Sequence, residues 1–274
     1  MLSVERLHHA YVPEQLVAAN ITFDVKPGEI VSIVGPSGCG KTTLLKALAG
    51  LLKPTGGTIR FQGKVVQGIP DGLAIVFQEY GRSLLPWTTV NGNIELPLRY
   101  QPITSAECRR RIVESLKAVN LTGCGELYPW QLSGGMQQRV AIARALAYQP
   151  KLLLMDEPFA SLDAQTRADL EDLVAAVRDQ FGITIVLVTH DIDESVYLSD
   201  RVIVLSHSPS SILAQVNVGL PRPRDQIQTK ATQQFVEKRS EIAQMIRRPV
   251  GREAPGSRRR PIAHMRHCPA GADG

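Results

Sequence analysis

The length, the composition and the charge of this chain exclude several classes of protein. Its 274 residues, 43% of them hydrophobic, are enough to bury the core of one large domain. Residues 247–274 hold seven arginines and two acidic residues, which accounts for the whole net charge of +5 and leaves the first 246 residues neutral. We therefore expect a basic, disordered tail and no specific nucleic-acid-binding surface on the body.

The sequence also lacks the marks of a membrane-spanning or disulfide-bonded protein. No apolar run approaches the roughly 18 residues of a transmembrane helix, and the N-terminus has no secretory pattern. The four cysteines have no metal-type pair spacing; they are Cys39, Cys108, Cys124 and Cys268. The sequence therefore predicts a cytosolic chain with reduced thiols.

Strand-like and helical stretches alternate along the chain. Residues 2–26 alternate weakly between apolar and polar residues, which predicts an antiparallel β flap. Short, continuously apolar and β-branched runs predict strands buried on both faces at residues 29–34, 73–77, 152–155, 183–188 and 201–205.

Helical periodicity between these strands completes the pattern. Apolar residues recur at helical spacing at Leu170, Leu173, Val174, Val177 and Phe181. A helical lobe is expected as an insertion at about residues 79–148. Together these elements predict an α/β core with a mainly parallel sheet.

A glycine-rich segment, GPSGCGKT at residues 35–42, follows the first buried strand and precedes the helical stretch TTLLKALAG. It fits the P-loop pattern, in which glycines let backbone N–H groups point at a phosphate and a helix N-terminus adds a positive dipole. Lys41 is expected to neutralise the β and γ phosphates, and Thr42 to offer its hydroxyl to Mg²⁺. A turn that binds nothing is the alternative, which the flanking strand and helix disfavour. The residues assigned to phosphate binding are Gly35, Pro36, Ser37, Gly38, Cys39, Gly40, Lys41, Thr42 and Thr43.

Two adjacent acids end the buried run LLLMDEP at residues 152–158. With a P-loop in the same chain, Asp156 is expected to anchor Mg²⁺, and Glu157 to orient or deprotonate the attacking water. Without a P-loop, the same pair would be an ordinary strand-ending turn. The sequence therefore predicts phosphoryl transfer to water.

The most specific motif is LSGGMQQRVAIARAL, residues 132–146, which resembles the signature sequence of ABC-type ATPases. Ser133 can cap a helix whose first residues, Gly134 and Gly135, let backbone amides approach a phosphate closely. In that family this surface reaches the γ-phosphate held by the P-loop of a second subunit, so the resemblance implies a homodimer around two ATP molecules. The alternative, a capped amphipathic helix without a ligand, leaves the glycine pair unexplained.

The resemblance extends from about residue 2 to residue 246 and implies roles for four further residues. Tyr11 would stack on adenine, and Gln78 would contact the metal and the attacking water. Asp163, in the segment SLD, would pair across the dimer. His190 would contact the γ-phosphate and take part in catalysis with Glu157, Gln78 and Lys41. Alone, Tyr11 would be an exposed surface tyrosine, and His190 a structural residue at a strand end.

The implied fold is α/β, a P-loop NTPase (RecA-like) core with a mainly parallel sheet, an N-terminal antiparallel β subdomain and an inserted helical subdomain. Together these would form an ABC-type ATP-binding domain over residues 1–246. ATP and Mg²⁺ are the implied cofactors, with Thr42, Gln78 and Asp156 as the metal site.

Two segments narrow the resemblance to one branch of bacterial importers, for nitrate, sulfonate and taurine. They are EYGRSLLPWTTVNGNIELPL at residues 79–98 and LPRPRD at residues 220–225, of which the second would also suit a stiff connector. This branch implies uptake of a small anionic solute through separate integral-membrane permease subunits, with the chain on the cytoplasmic face of the plasma membrane. An extracytoplasmic solute-binding protein would be an indirect partner.

One departure and one alternative accompany this interpretation. Ser210 and Ser211 stand where that branch is expected to carry a Gly-Arg pair. The alternative function is a soluble ABC ATPase that acts on nucleic acid or ribosomes. Such proteins usually carry a long coiled-coil insertion or a second cassette, and this sequence has neither.

Overall fold

A computed structural model describes residues 1–12 and 16–247. The strands in these ranges are β1 (Leu2–Ala10), β2 (Leu16–Val25), β3 (Ile30–Val34), β4 (Gly56–Phe61), β5 (Lys64–Val65), β6 (Leu73–Val76), β7 (Leu152–Asp156), β8 (Thr184–Val188), β9 (Arg201–Leu205) and β10 (Ile212–Asn217). The helices are α1 (Lys41–Leu48), α2 (Tyr80–Ser83), α3 (Val90–Glu95), α4 (Ser105–Ala118), α5 (Gly134–Ala147), α6 (Ala164–Phe181), α7 (Ile192–Leu198) and α8 (Gln233–Arg247).

The larger sheet has the strand order β10-β9-β3-β8-β7-β6, and only the β10–β9 pair is antiparallel. Strands β3, β7 and β8 are buried at every residue, as expected of largely apolar strands that are covered on both faces. The predicted α/β fold with a mainly parallel sheet is therefore confirmed. The sequence does not predict β10, because this edge strand buries only Val216 fully and has no continuous apolar run.

The smaller sheet is antiparallel and has the order β2-β1-β4-β5. The predicted flap corresponds to β1 and β2, whereas β4 and β5 were not predicted. Helix α1 lies in the core between the two sheets, where Leu44 and Leu45 belong to the same buried cluster as Leu7 of β1 and Leu154 of β7. The helix that follows the P-loop is therefore held on both sides by apolar packing.

Helices α2 to α5 lie between β6 and β7 in the chain, where the sequence predicts a helical insertion. Helix α5 packs against α2, α3 and α4 and also against β6 and α6, so it joins the inserted helices to the sheet. Its apolar residues Val140, Ile142 and Ala143 are fully buried. The exact boundaries of the predicted lobe stay a prediction.

The helical face predicted around Leu170 is the buried face of α6. Leu170, Leu173, Val174 and Val177 are buried. Phe181 is 39% exposed, because α6 ends there and Gly182 turns the chain into the left-handed region.

The segment LPRPRD fastens the end of α7. Arg224 donates from Nη1 to the carbonyl of Ser199 at 3.0 Å, and Arg222 from Nη2 to Asp200 Oδ1 at 3.0 Å. Guanidinium groups are favourable at a helix C-terminus, where carbonyl groups lack partners. The segment therefore has a packing role in this fold.

Residues 248–274, with most of the predicted basic tail and Cys268, lie outside the described residues. Cys39, Cys108 and Cys124 are free thiols. Each helix within the two described ranges is too short or too polar to be a membrane span.

Candidate active site

The loop between β3 and α1 is curled around the side chain of Lys41. Gly38 and Gly40 have φ angles of 74° and 98°, in the left-handed region that glycine adopts without strain. The buried Lys41 ammonium donates from Nζ to the carbonyls of Gly35, at 3.0 Å, and Pro36, at 3.1 Å. The lysine charge is thus held inside the loop that the sequence predicts for phosphate.

The start of α1 suits an anion. Gly40 precedes the helix without a side-chain cap, and the first turn contains no acidic residue. The first amides of a helix lack intrahelical partners and carry the positive end of its dipole. Cys39 is buried just before this start, and burial raises the pKa of its thiol, so the thiol is neutral at ordinary pH.

Asp156 and Thr42 meet at the carboxyl end of β7. Thr42 Oγ1 donates to Asp156 Oδ1 at 3.3 Å, although 114 residues separate them in the sequence. Burial raises the pKa of the Asp156 carboxyl, and the hydrogen bond from Thr42 opposes that rise. Hydroxyl and carboxylate oxygens are ligands that Mg²⁺ accepts.

The donor set therefore fits the predicted metal. The described residues contain no cluster of three or more His, Cys, Asp or Glu side chains arranged around one metal position. Magnesium sites of nucleotide-binding proteins need no such cluster, because the ion is held by one or two carboxylates and by the phosphates of the substrate.

Two further predicted residues, Gln78 and His190, contact Glu157. Its Oε2 lies 3.1 Å from His190 Nδ1 and accepts from Gln78 Nε2 at 3.3 Å. Its backbone has a φ of 42°, and its N–H donates to Val188 O at 2.8 Å, which turns the chain sharply after β7. The ends of β6, β7 and β8 thus bring an amide, a carboxylate and an imidazole together. We call the following residues the P-loop group: Lys41, Thr42, Gln78, Asp156, Glu157 and His190.

Tyr11 follows β1 in the chain, is exposed, and lies close in space to the start of α1. Its hydroxyl is 2.9 Å from Thr43 Oγ1, so the structure places it beside the phosphate loop. Val17 also packs closely against this loop, since a Cβ on Gly40 would lie 2.6 Å from Val17 Cγ1. Ser210 N donates to Val17 O at 2.8 Å, which ties the unexpected serine to the strand after Tyr11.

The signature residues and Asp163 form a second set. Ser133 accepts from Met136 N at 3.3 Å and caps α5, and Asp163 accepts from Thr166 N at 3.0 Å and caps α6. A Cβ on Gly135 would lie 2.5 Å from Thr166 Cγ2, so the two helix starts pack together. The hydrogen bond from Thr166 holds the pKa of Asp163 below its usual range. We call the following residues the signature group: Ser133, Gly134, Gly135 and Asp163.

Three polar residues next to His190 were not predicted. The buried Glu194 carboxylate accepts from Thr189 Oγ1 at 2.6 Å, and Arg167 Nε lies 3.8 Å from Glu194 Oε1. Burial raises the pKa of Glu194 to about 7. The sequence signal is weak, because one acid in a short helix fits an exposed face equally well.

Comparison with protein families explains the order of these motifs. Residues 18–160, more than half of the chain, match the family described as ABC transporter. The chain belongs to the ABC transporter family. This membership confirms the resemblance drawn from the signature motif and shows a nucleotide-binding ATPase domain.

Several proteins similar to this chain are named as nitrate or sulfonate transport or import proteins. The nitrate import ATP-binding protein NrtC of Synechococcus elongatus is 40% identical over 89% of this chain and 38% of its own length. The nitrate transport protein NasD of Klebsiella oxytoca is 40% identical over 85% of this chain and 90% of its own length. The aliphatic sulfonates import ATP-binding protein SsuB 1 of Xanthomonas axonopodis pv. citri is 44% identical over 76% of this chain. The chain thus spans little more than a third of NrtC and most of NasD.

Solved structures of ABC cassettes share the fold. The cbiO1 protein of Clostridium perfringens, part of the ABC transporter complex cbiONQ, superposes with a TM-score of 0.74 at 30% identity and covers 79% of this chain and 88% of its own. The cassette MJ0796, in a dimeric post-hydrolysis state with ADP and Pi, gives a TM-score of 0.70 at 33% identity and covers 80% of this chain and 99% of its own. Both agree with the predicted fold class.

Proposed function

We propose that this chain is the ATP-hydrolysing subunit of an ABC importer for a small anionic solute. The observation that carries hydrolysis is the meeting of Gln78, Glu157 and His190 beside the P-loop. The nitrate and sulfonate import ATP-binding proteins among the relatives support the solute class, as does the nitrate transport protein NasD.

ATP binding is assigned to the loop and to the start of α1. The backbone of residues 35–43 cradles the phosphates, and Lys41 exchanges its contacts with Gly35 and Pro36 for the β and γ phosphates. Tyr11, already beside Thr43, provides an exposed ring for adenine. Binding therefore draws on charge, on aligned amides and on stacking.

Magnesium is assigned to Thr42, Asp156 and Gln78. The first two side chains are already hydrogen-bonded to each other, and Asp156 is a buried carboxylate. When bound, the ion would offset the negative charge of the β and γ phosphates.

Glu157 is the proposed general base. It takes a proton from water while the water oxygen bonds to the γ-phosphorus and the bond to the bridging oxygen of ADP breaks, so that ADP and phosphate are released. His190 and Gln78 hold the Glu157 carboxylate in place. His190 also contacts the γ-phosphate, and Gln78 contacts the water. Lys41 stabilises the charge that develops on the phosphate oxygens.

The active form is proposed to be a homodimer. The signature group caps its own helices and offers the amides of Gly134 and Gly135 at a helix start, which suits the γ-phosphate held by a second copy. Asp163 would pair across the same interface. The dimeric MJ0796 cassette supports this arrangement.

Permease subunits are proposed to contact the loop before α3. Trp87 in this loop is 75% exposed, yet the loop itself is fixed by the buried Asn93. Asn93 accepts from Leu85 N at 2.8 Å and donates from Nδ2 to Thr89 O at 3.1 Å. An exposed tryptophan on a fixed loop is typical of an interface anchor. The chain would then lie on the cytoplasmic face of the membrane and reach a solute-binding protein only indirectly.

Co-purification from the native cell tests the importer. The full chain is tagged, membranes are solubilised gently, and partners are identified by mass spectrometry. We expect a polytopic permease, with or without a solute-binding protein. Trp87→Ala should lower its recovery at least about fivefold, as loss of an anchor does, whereas Tyr100→Ala removes another exposed aromatic, at 91%, and should not. Ribosomal proteins or DNA-repair factors in place of a permease would favour the soluble alternative.

A further inference from the structure

Arg167 of α6 contacts the two loops that carry Asp163 and His190. Its Nη2 donates to the carbonyl of Leu162 at 3.3 Å, one residue before Asp163. Its Nη1 donates to Asp191 Oδ2 at 3.3 Å, one residue after His190. A single planar guanidinium therefore links the residue before Asp163 to the residue after His190.

The chain around His190 is itself fastened to Glu194. Thr189 Oγ1 donates to Glu194 Oε2 at 2.6 Å and accepts from Asp191 N at 3.0 Å. The hydroxyl of Thr189 thus bonds both to the backbone N–H of Asp191 and to the buried carboxylate of Glu194. Glu194 is therefore connected to the backbone on both sides of His190 through two hydrogen bonds.

The contact between Arg167 and Glu194 is close but incomplete. The Nε of Arg167 is buried and has no hydrogen-bond partner among the described residues, while Glu194 Oε1 lies 3.8 Å away. A buried donor without a partner is unfavourable, so a movement that closes this gap is favoured. A shift of about 1 Å would bring the two atoms to hydrogen-bond distance.

A small cavity of about 10 Å³ adjoins Arg167 and Glu194. Its lining residues are Glu157, Ala160, Arg167, Thr189, His190, Asp191 and Glu194. Because the base, the imidazole and the arginine share this space, movement of the guanidinium changes the surroundings of His190 and Glu157 directly.

We propose that Arg167 and Glu194 are positioning residues that couple the loop at Leu162 and Asp163 to His190 within one chain. Contact of Asp163 with a second copy moves this loop, the loop moves the guanidinium, and Glu194 with Thr189 then sets the position of His190. The pair thereby makes hydrolysis respond to dimer closure. The inference rests on the proposed roles of Asp163 and His190.

Steady-state kinetics of the purified full chain tests the coupling. Arg167→Met removes the charge and keeps the length, and we expect about a tenfold loss of kcat with KM changed less than about twofold, because ATP itself is not contacted. Arg167→Lys should recover part of the loss, since it restores the charge without the planar fork. The matched control is Arg178→Met on the same helix, whose Nε donates to Gly28 O at 2.8 Å far from this pair, and its kcat should equal that of the wild type.

The pair is tested as a unit by combining Arg167→Met with Glu194→Gln. If both residues act through one contact, the double variant should be no slower than Arg167→Met alone. Losses of kcat that multiply, or an Arg167→Met variant with wild-type kcat, would overturn the proposal. Should Arg167→Met fail to fold, Arg167→Lys with Glu194→Gln provides the same comparison.

Failure of this inference can be told apart from failure of the proposed function. A wild-type chain that does not hydrolyse ATP, or a Glu157→Gln variant with full activity, would remove the proposed function and the inference with it. A wild type that hydrolyses ATP, a Glu157→Gln variant that does not, and an Arg167→Met variant with unchanged kcat would remove the inference alone.

Discussion

The polar side chains of the P-loop group and of the signature group differ in where their hydrogen-bond partners lie. In the P-loop group, side chains from distant parts of the chain bond to one another, as Thr42 does with Asp156 and Gln78 with Glu157. In the signature group, Ser133 and Asp163 bond only to the first turns of their own helices. Side chains of the P-loop group thus bond to one another within the chain, whereas Ser133 and Asp163 bond to their own helices.

This difference indicates which half of the reaction one chain can perform. The P-loop group has a cation, a carboxylate beside an imidazole and a hydroxyl–carboxylate pair in one place, so we propose that a single chain binds the nucleotide and holds the water-activating residue. The signature group has helix starts to offer, and Arg167 links the residue before Asp163 to the residue after His190. We therefore propose that the ligand of the signature group is held by a second copy.

The largest effect is expected from removing the base. Glu157→Gln keeps the shape and a hydrogen bond to His190 but cannot accept a proton, so phosphate release should fall by about 10²–10⁴-fold. ATP binding should survive, and size-exclusion chromatography with ATP should show a stable dimer. Glu237→Gln, an isosteric change on α8, is the control and should hydrolyse at the wild-type rate. Monomeric Glu157→Gln with unchanged turnover would contradict the assignment of the base.

The second prediction separates the two groups. Ser133→Arg places a bulky cation at the start of α5 and should lower turnover about a hundredfold, comparable to the loss of an oxyanion-stabilising donor. At dilutions that keep the chain monomeric, its Kd for a fluorescent ATP analogue should stay within about twofold of the wild type. Lys41→Ala should weaken that Kd itself at least about tenfold, and Ser133→Thr should retain the cap. Loss of monomer binding in Ser133→Arg would mean that the two groups share one site within the chain.

The members of the P-loop group could be picked out from the sequence because each belongs to a local motif at a strand end or at the start of α1. A parallel sheet collects the carboxyl ends of its strands at one edge, which is why Gln78, Glu157 and His190 meet although each was found separately. The strands themselves were predictable where burial on both faces leaves an uninterrupted apolar run. Strands β4, β5 and β10 were not, since each has exposed residues and draws its stability from pairing with neighbours.

The connection between the groups could not be predicted for a different reason. Arg167, Asp191 and Glu194 are charged residues near helix starts, where solvent exposure is the ordinary expectation. Their pairing depends on how α6 and α7 pack, which no spacing in the sequence encodes. Ser210 is similar: its departure from the expected pair is explained by hydrogen bonds to Val17, on a strand nearly two hundred residues away.

The smallest expected effect is a pH dependence of stability at the contact between Arg167 and Glu194. Burial raises the pKa of Glu194 to about 7, and the charged residues that face it are Asp191, Glu171 and Arg167. Because the pKa is higher in the folded than in the unfolded chain, the folded protein binds more protons between about pH 4.5 and 7. The free energy of unfolding therefore falls as pH rises through this window.

Glu194→Gln removes this dependence while keeping an oxygen that accepts from Thr189. Relative to wild type, its free energy of unfolding in urea should rise by about 2 kcal/mol between pH 5.5 and pH 8, since the variant has no buried charge to create. Glu237→Gln should show no such change. If the free energies of unfolding of Glu194→Gln and wild type differ by the same amount at both pH values, Arg167 already neutralises the Glu194 carboxylate. Arg167 and Glu194 would then form a closed ion pair in the single chain, and not a contact that closes when a second copy binds.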